Sequence, residues 1–246
     1  KKMNWNFYSE IQKNLHNREI YYPRGKVLGG SGSINAMIYA RGLSSDFQNW
    51  NLSKDWSWEN IKSTYDQIEF AVNHKTNKLP PNKIPVNDVS KKHHPILKNF
   101  FDAAHDFEFI FNKQLKTSLE NQVGNYNVNI FNGFRTSSSK VFLKPIKHHS
   151  NLTIFTQTEV LKLNYENNKI SSLKIKHKNK IITVKPKIGT ILSSGAIMTP
   201  YLLLKSGIGN AQELNNYNIP VNLHSHHIGK NLQDHLGLDY LYKTPR

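Results

Sequence analysis

The stretch that most limits how this chain can fold is Gly25-Lys26-Val27-Leu28-Gly29-Gly30-Ser31-Gly32-Ser33-Ile34-Asn35-Ala36-Met37-Ile38. Three of its glycines fall within four positions, at 29, 30 and 32. Glycine tolerates positive φ and lets another group approach the bare backbone. A run of small and apolar residues follows, so the pattern predicts a tight turn feeding a helix that begins near Ser33. Such a turn presents bare amides, and a helix beginning there would aim its positive end at an anionic group. The residues alone leave a plainer alternative open: a glycine turn in which a buried Asn35 satisfies backbone groups.

Downstream, Trp50, Trp56 and Trp58 precede Ile61, Tyr65 and Ile68 at helical spacing, which predicts an aromatic-rich loop and then an amphipathic helix, its aromatics serving as core packing. From Asn73 to His94 the polar sequence with Pro80, Pro81 and Pro85 predicts a long surface excursion. Helical spacing returns through Ile96, Leu97, Phe100, Phe101 and Ala104. Asn132-Gly133 marks a turn, and the serines from Ser137 to Ser139 are placed to cap a helix. Short strands are predicted at Leu152 to Phe155, Val160 to Tyr165, Ile170 to Ile175 and Ile181 to Val184, separated by Glu166-Asn167-Asn168 and Lys178-Asn179. This reads as an antiparallel meander. Ile188 to Ser194 then predicts a buried strand ending at Gly195, with a helix from Ile197 to Ser206, half of a nucleotide-binding unit.

Composition narrows the classes. At 246 residues and 37% hydrophobic content the chain can build a core. Its 33 Lys+Arg against 17 Asp+Glu raise the question of nucleic acid or an anionic surface. The lysines, however, are scattered through polar stretches such as Lys174 to Lys187, without an Arg-rich helix or interleaved aromatics, so no nucleic-acid partner is expected. The rival reading is a basic binding module whose glycine turn is incidental. No apolar run approaches the ~20 residues a bilayer-spanning helix needs. The absence of Cys removes disulfides, thiolate metal sites and Cys nucleophiles, and is compatible with a reducing cytoplasm. His224, His226 and His227 share a short loop without an obvious carboxylate partner, which reads as solvated and not as a metal site. Asp234 and His235 resemble half of a catalytic triad, but adjacent residues on one segment rarely face each other and the Ser193-Ser194-Gly195 turn lacks the nucleophile elbow of a hydrolase; the sequons at Asn51 and Asn151 matter only in a secretory protein.

Two segments carry a family resemblance. Arg24 to Met37, continuing through Tyr39-Ala40-Arg41-Gly42 to Asp46 and Trp50, resembles the first signature of the glucose-methanol-choline (GMC) oxidoreductases. Ser193-Ser194-Gly195-Ala196-Ile197 through Pro200, Leu202-Leu203 and Ser206-Gly207-Ile208-Gly209 resembles the second, and Gly229-Lys230-Asn231-Leu232-Gln233-Asp234-His235 continues the likeness. Two long motifs in the right order are more specific than any lone glycine turn. The run from Tyr21 to Trp50 looks most like bacterial choline dehydrogenases and related alcohol dehydrogenases.

The resemblance implies a mixed α/β, FAD-binding Rossmann-like fold, incomplete here, with an antiparallel β-meander and part of a substrate domain. It implies that residues 1–45 hold the flavin-contacting segment, 46–150 a lid or substrate-side segment, and 151–246 the meander and a strand-helix of the flavin domain. The expected cofactor neighbours are Trp5, Asn6, Gly25, Gly29, Gly30, Ser31, Asn35, Ala36, Met37 and Ile38, with Val160 contacting the adenine through its backbone. Asn35 is expected at the reactive edge of the flavin ring. Some members bind flavin covalently through a His at the position of Ile34, so a non-covalent FAD is expected. The implied reaction is hydride transfer from a small alcohol, a choline-like one among the candidates, to flavin, with oxygen or a quinone as electron acceptor. The His base and the Gly-x-Gly-x-x-Gly strand-turn-helix belong to segments outside these residues, and both ends read as cut. The chain alone is therefore expected neither to hold flavin tightly nor to turn over. A non-catalytic relative is the alternative within the family. The expected location is the cytoplasm, or the periphery of the inner membrane.

Overall fold

The computed structural model describes residues 2–50, 52–73, 75, 77–112, 122–234, 237, 239–241 and 243. It falls into two units, Lys1–Thr153 and Ile154–Arg246.

The first unit opens on a short antiparallel pair, β1 (Phe7–Tyr8) with β2 (Tyr21–Tyr22). A bridge between Asn4 and Gly25 extends this ladder, with Trp5 N donating to Arg24 O at 2.9 Å and Lys26 N to Met3 O at 2.8 Å. A 310 turn covers Gly30–Ser33, followed by β3 (Ile38–Tyr39), α1 (Ser44–Trp50), α2 (Trp58–Ile68) and β4 (Glu69–Ala71). Helix α2 starts where Ser57 in extended backbone accepts from Asn60 N. Next come β5 (Ile84–Val86), α3 (Leu97–Asp106), β6 (Ile110–Asn112), β7 (Gln122–Gly124), β8 (Asn127–Val128), β9 (Ile130–Phe131) and β10 (Phe134–Arg135). Strand β3 pairs antiparallel with β8, and β4 runs parallel to β5. Asn87 and Val128 exchange backbone bonds at 3.1 and 3.0 Å, tying the end of β5 to β8. The β9–β10 hairpin turns on Asn132 (φ 48°) and Gly133 (φ 77°), the left-handed pair a two-residue hairpin demands.

In the second unit β11 (Thr158–Glu166), β12 (Lys169–His177) and β13 (Lys180–Val184) form the antiparallel meander. Both of its turns place two non-glycine residues at positive φ, Asn167-Asn168 and Lys178-Asn179. Asparagine bears that conformation better than most side chains. Helix α4 (Gly195–Lys205) leads to β14 (Ile208–Gly209), α5 (Ala211–Asn216) and β15 (Leu223–His224), with β14 and β15 parallel. Ser206, wholly buried, links α4 to the meander: its Oγ donates to Leu202 O at 2.6 Å and accepts from Leu163 N at 2.9 Å. Leu163, Ile175, Leu202, Ile208 and Leu214 form the buried apolar set around this link.

Several expectations are corrected. No helix begins near Ser33: the 310 turn ends there, and the chain passes through an irregular stretch into β3. The side-chain oxygens of Ser33 and Asn35 bond locally, to Leu28 O and Met37 N, in the way that draws Ser and Asn out of helices. The stretch from Ile188 to Ser194 is not a strand of any sheet among the described residues. Ile188 and Ile191 stand 104% and 91% exposed. A strand of this apolar kind needs neighbours on both sides to be buried, and the meander turns its edge to no such partner. Leu152 to Phe155 is likewise unpaired. Within the Asn73 to His94 excursion, Ile84 to Val86 is a strand and Pro85 is almost fully buried, because β4 offers it a parallel partner. The serines precede a π-helical turn over Ser139–Leu143 without capping it: Ser138 Oγ donates to Gly29 O at 3.5 Å instead. The tryptophans pack on one another and on Phe47 at ring distances of 5.1 to 5.9 Å, yet Trp50 and Trp56 remain about half exposed, making a surface cluster in place of a core.

Candidate functional site

The glycines of the loop do different jobs. A Cβ on Gly25 would lie 2.3 Å from Gly30 O, and one on Gly29 would lie 2.5 Å from Ser33 Oγ. Both positions hold the loop against itself, and Gly29 also needs its φ of 87°. Gly30 and Gly32 differ: a Cβ on either meets nothing within 4 Å. Their bare faces are open to a flat partner. Ser31 closes the base of the loop, its Oγ accepting from Gly25 N at 3.1 Å.

Beyond the turn, Asn35 is fixed by a residue that sequence reasoning did not single out. Arg135 Nη1 donates to Asn35 Oδ1 at 2.6 Å, and Arg135 Nη2 to Asn35 O at 2.6 Å. Asn35 Oδ1 also accepts from Met37 N at 3.0 Å, and Met37 takes φ 65°. This fork converts a short irregular segment into a fixed one, since charge-assisted bonds from a planar guanidinium are both strong and directional. With Oδ1 occupied, only the Asn35 amide N–H groups remain to face a ligand. Asn35, Ala36 and Ile38 are exposed, and among the described residues no acceptor takes the Ala36 N–H. An amide donor, an amide side chain and an apolar residue thus line up beside the bare glycines. The signal for Arg135 was its place directly after the Asn132-Gly133 hairpin, but its partner lies a hundred residues away in sequence.

The Asn4–Gly25 bridge brings Trp5 and Asn6 to the same loop. Trp5 stacks on Phe7 at 5.9 Å and carries Lys26 Nζ 4.3 Å from its ring centroid. Asn6, at φ 55°, accepts from Tyr21 OH at 3.1 Å. Trp5, Asn6 and the 25–38 segment are therefore brought together within the first unit. Val160 belongs to the second unit, on β11 beside a register shift between Val160 and Lys162. The shift breaks the strand's alternation, and the Val160 side chain is 37% exposed. His224 Nε2 and His226 Nε2 stand 2.9 Å apart at the end of β15. Asn51 and His235 lie outside the described residues.

Next to β3 is a second polar cluster. Arg41 holds Glu69 in a fork, Nε to Oε1 at 2.7 Å and Nη2 to Oε2 at 2.5 Å, and its Nη2 reaches Asp66 Oδ1 at 2.6 Å. Tyr39 OH donates to the same Glu69 Oε1. The Glu69 bond raises the Arg41 guanidinium, while burial first and the Glu69 bond second push the Tyr39 hydroxyl well above the ordinary tyrosine range. The sign of the consequence follows from linkage. A raised folded-state value means the stabilisation is complete below the unfolded tyrosine value of about 10 and is lost as pH rises beyond it. Urea unfolding between pH ~9 and ~11 is expected to show the wild type losing its advantage over Tyr39→Phe as pH rises, by at most about 1.4 kcal/mol per pH unit. A constant difference would remove Tyr39 as the source.

The geometry can be set beside known proteins. Residues 10–237 match the GMC oxidoreductase family. The alcohol dehydrogenase [acceptor] of Pseudomonas putida is 35% identical over 97% of this chain and 44% of its own length. The mitochondrial choline dehydrogenase of Mus musculus is 31% identical over 96% and 40%. Among solved structures, pyridoxine 4-oxidase from Mesorbium loti superposes with a TM-score of 0.82 at 25% identity, covering 91% of this chain and 45% of that one. The formate oxidase of Aspergillus oryzae, whose FAD modification has been studied, gives 0.81 at 22% identity, over 96% and 43%, a likeness of fold alone. The chain thus spans less than half the length of these relatives. No helix among the described residues is long and apolar enough to cross a membrane. With the match running through both glycine-bearing segments and almost the whole chain, the protein belongs to the GMC oxidoreductase family.

Proposed function

We propose that this chain supplies the flavin-facing wall of an FAD-dependent enzyme that oxidises the CH–OH group of a small alcohol. The observation that carries this reading is the open face over Gly30 and Gly32, continued by Ala36 N–H and the Arg135-locked Asn35. A planar ring needs a wall free of side chains with donors at its rim, and this segment has both. When bound, FAD supplies the hydride acceptor. The residues present here bind and orient. Gly30 and Gly32 give backbone approach; Asn35 and Ala36 offer N–H donors; Met37 and Ile38 add apolar wall that excludes water. Trp5 and Asn6 border the loop, and Gly25, Gly29 and Ser31 keep its shape. In the second unit, the bulged backbone at Val160 is assigned to the adenine on family likeness. Residues 46–150 are assigned to the substrate side. Ile34 has no nucleophilic atom, so the flavin is non-covalent at this position.

Relatives act on alcohols, as the names alcohol dehydrogenase and choline dehydrogenase state of those proteins, and this supports an alcohol as substrate here, with oxygen or a quinone as acceptor. The setting proposed is the cytoplasm or the inner-membrane surface. The test is anaerobic addition of short alcohols, choline included, to purified enzyme containing this chain within its full open reading frame. Bleaching of the flavin absorbance is expected, with all flavin released into the supernatant on acid precipitation. A preparation without flavin, or one whose flavin no alcohol bleaches, rejects the reading; flavin retained in the precipitate rejects the non-covalent assignment.

A further inference from the structure

Arg135 ends β10, the second strand of the hairpin that turns on Asn132-Gly133. Its guanidinium reaches three oxygens of the 32–35 segment: Asn35 Oδ1 and Asn35 O at 2.6 Å each, and Gly32 O at 3.4 Å. The residues around the hairpin hold the neighbouring positions as well. Asn129 N donates to Met37 O at 2.8 Å, and Ser138 Oγ to Gly29 O at 3.5 Å. Residues 129–138 therefore brace the 29–37 segment along its length, with one cation at the middle of the brace.

That cation has no carboxylate within ion-pair distance among the described residues. Its charge falls on amide and carbonyl oxygens alone. An Asn side chain can turn either its oxygen or its nitrogen outward. Here two donors, Arg135 Nη1 and Met37 N, take Oδ1 and leave the NH2 as the outward group. A guanidinium bound at an amide oxygen also draws electron density toward that oxygen and makes the N–H groups more positive, the polarisation that runs along a chain of hydrogen bonds. Asn35 is thus a relay with the charge entering at Oδ1 and two strengthened donors at Nδ2.

We infer that Arg135 is a positioning residue for the flavin that acts through Asn35: it fixes the Asn35 amide with its donors outward and strengthens them, so that this wall holds the reduced ring better than the oxidised one. Reduced flavin is the more electron-rich of the two forms, and preorganised N–H donors favour whichever form carries more negative charge. The inference rests on the flavin reading proposed above.

The test is the flavin midpoint potential of the enzyme carrying this chain within its full open reading frame, measured by anaerobic spectrophotometric titration in the wild type, Arg135→Gln, Asn35→Ala and the double variant. In Arg135→Gln the affinity for reduced flavin relative to oxidised is expected to fall about tenfold or more, which lowers the midpoint of a two-electron couple by about 30 mV or more. Asn35→Ala should lower it at least as far, and the double variant no further than Asn35→Ala, because two residues that act through one contact are not additive. A brace with no part in tuning would weaken both flavin forms equally and leave the potential in place. Should Arg135→Gln fail to fold, Arg135→Lys replaces it: lysine keeps a cationic donor but cannot fork, and its midpoint is expected between those of the wild type and Asn35→Ala. An unchanged potential in the Arg135 variant, or a double variant that falls by the sum of the two single ones, overturns the inference while leaving the flavin reading standing. A wild type without flavin overturns both.

Discussion

Gly207→Ala is expected to unfold the second unit at much lower urea than the wild type. Gly207 follows α4 at φ 80°, and a Cβ there would lie 2.2 Å from Pro220 O and 2.9 Å from Asn222 Nδ2. Two costs add. The left-handed backbone disfavours alanine by about 1–2 kcal/mol, and forcing a methyl against backbone costs about 1–3 kcal/mol more. Relief by movement is blocked, because Gly207 O accepts from Asn222 N at 2.8 Å and Leu223 N at 3.1 Å, and Asn222 Nδ2 holds Ser206 O at 2.8 Å. Ser206 in turn satisfies Leu163 N. A loss of about 3 kcal/mol or more, read as a lower urea midpoint of the meander's circular dichroism, is the expected outcome. An unchanged midpoint would mean that the 206–223 connection does not hold this unit together.

Gly32→Val separates fold from function. A Cβ at Gly32 meets nothing within 4 Å, and its φ is not in the left-handed range, so the variant should keep its stability to within about 0.5 kcal/mol, as surface substitutions do. The added isopropyl group would nevertheless stand on the face proposed for the flavin. Flavin affinity is expected to fall at least a hundredfold, or about 2.7 kcal/mol. Gly25→Ala makes the useful contrast, since its Cβ strikes Gly30 O and Ser31 N inside the loop and should cost fold and flavin together. Full flavin affinity in Gly32→Val would move the cofactor off this face.

How much of this was legible beforehand depends on the range of the interactions involved. The meander was readable because its information is local: alternating apolar residues and Asn-containing turns at 167–168 and 178–179 each act on their own neighbours. Helix α2 was readable for the same reason, through the Ile61, Tyr65 and Ile68 stripe. The strand expected at 188–194 failed because a buried strand is defined by neighbours that no described strand provides, which leaves Ile188 and Ile191 bare. Ser33 was read as helical from the apolar run after it, and local side-chain bonds by Ser33 and Asn35 overrode that pattern.

At the site, the glycine cluster announced a close-approach loop, but spacing could not tell the glycines that fit the loop to itself from those that leave a face open. That distinction rests on what an added Cβ would meet. Arg135 was out of reach for another reason. It works through a partner a hundred residues away in sequence and sits in no motif of its own.

The most direct measurement is an FAD titration of the isotope-labelled chain, read amide by amide in NMR spectra, with Gly32→Val alongside. Weak binding suffices, because the location of the shifts matters more than their saturation. In the first unit, the amides of Gly30, Gly32, Asn35, Ala36, Met37 and Ile38 should move in the wild type and stand still in Gly32→Val. Shifts that leave these amides untouched, or that persist in Gly32→Val, would contradict the assignment of this loop as the flavin's wall.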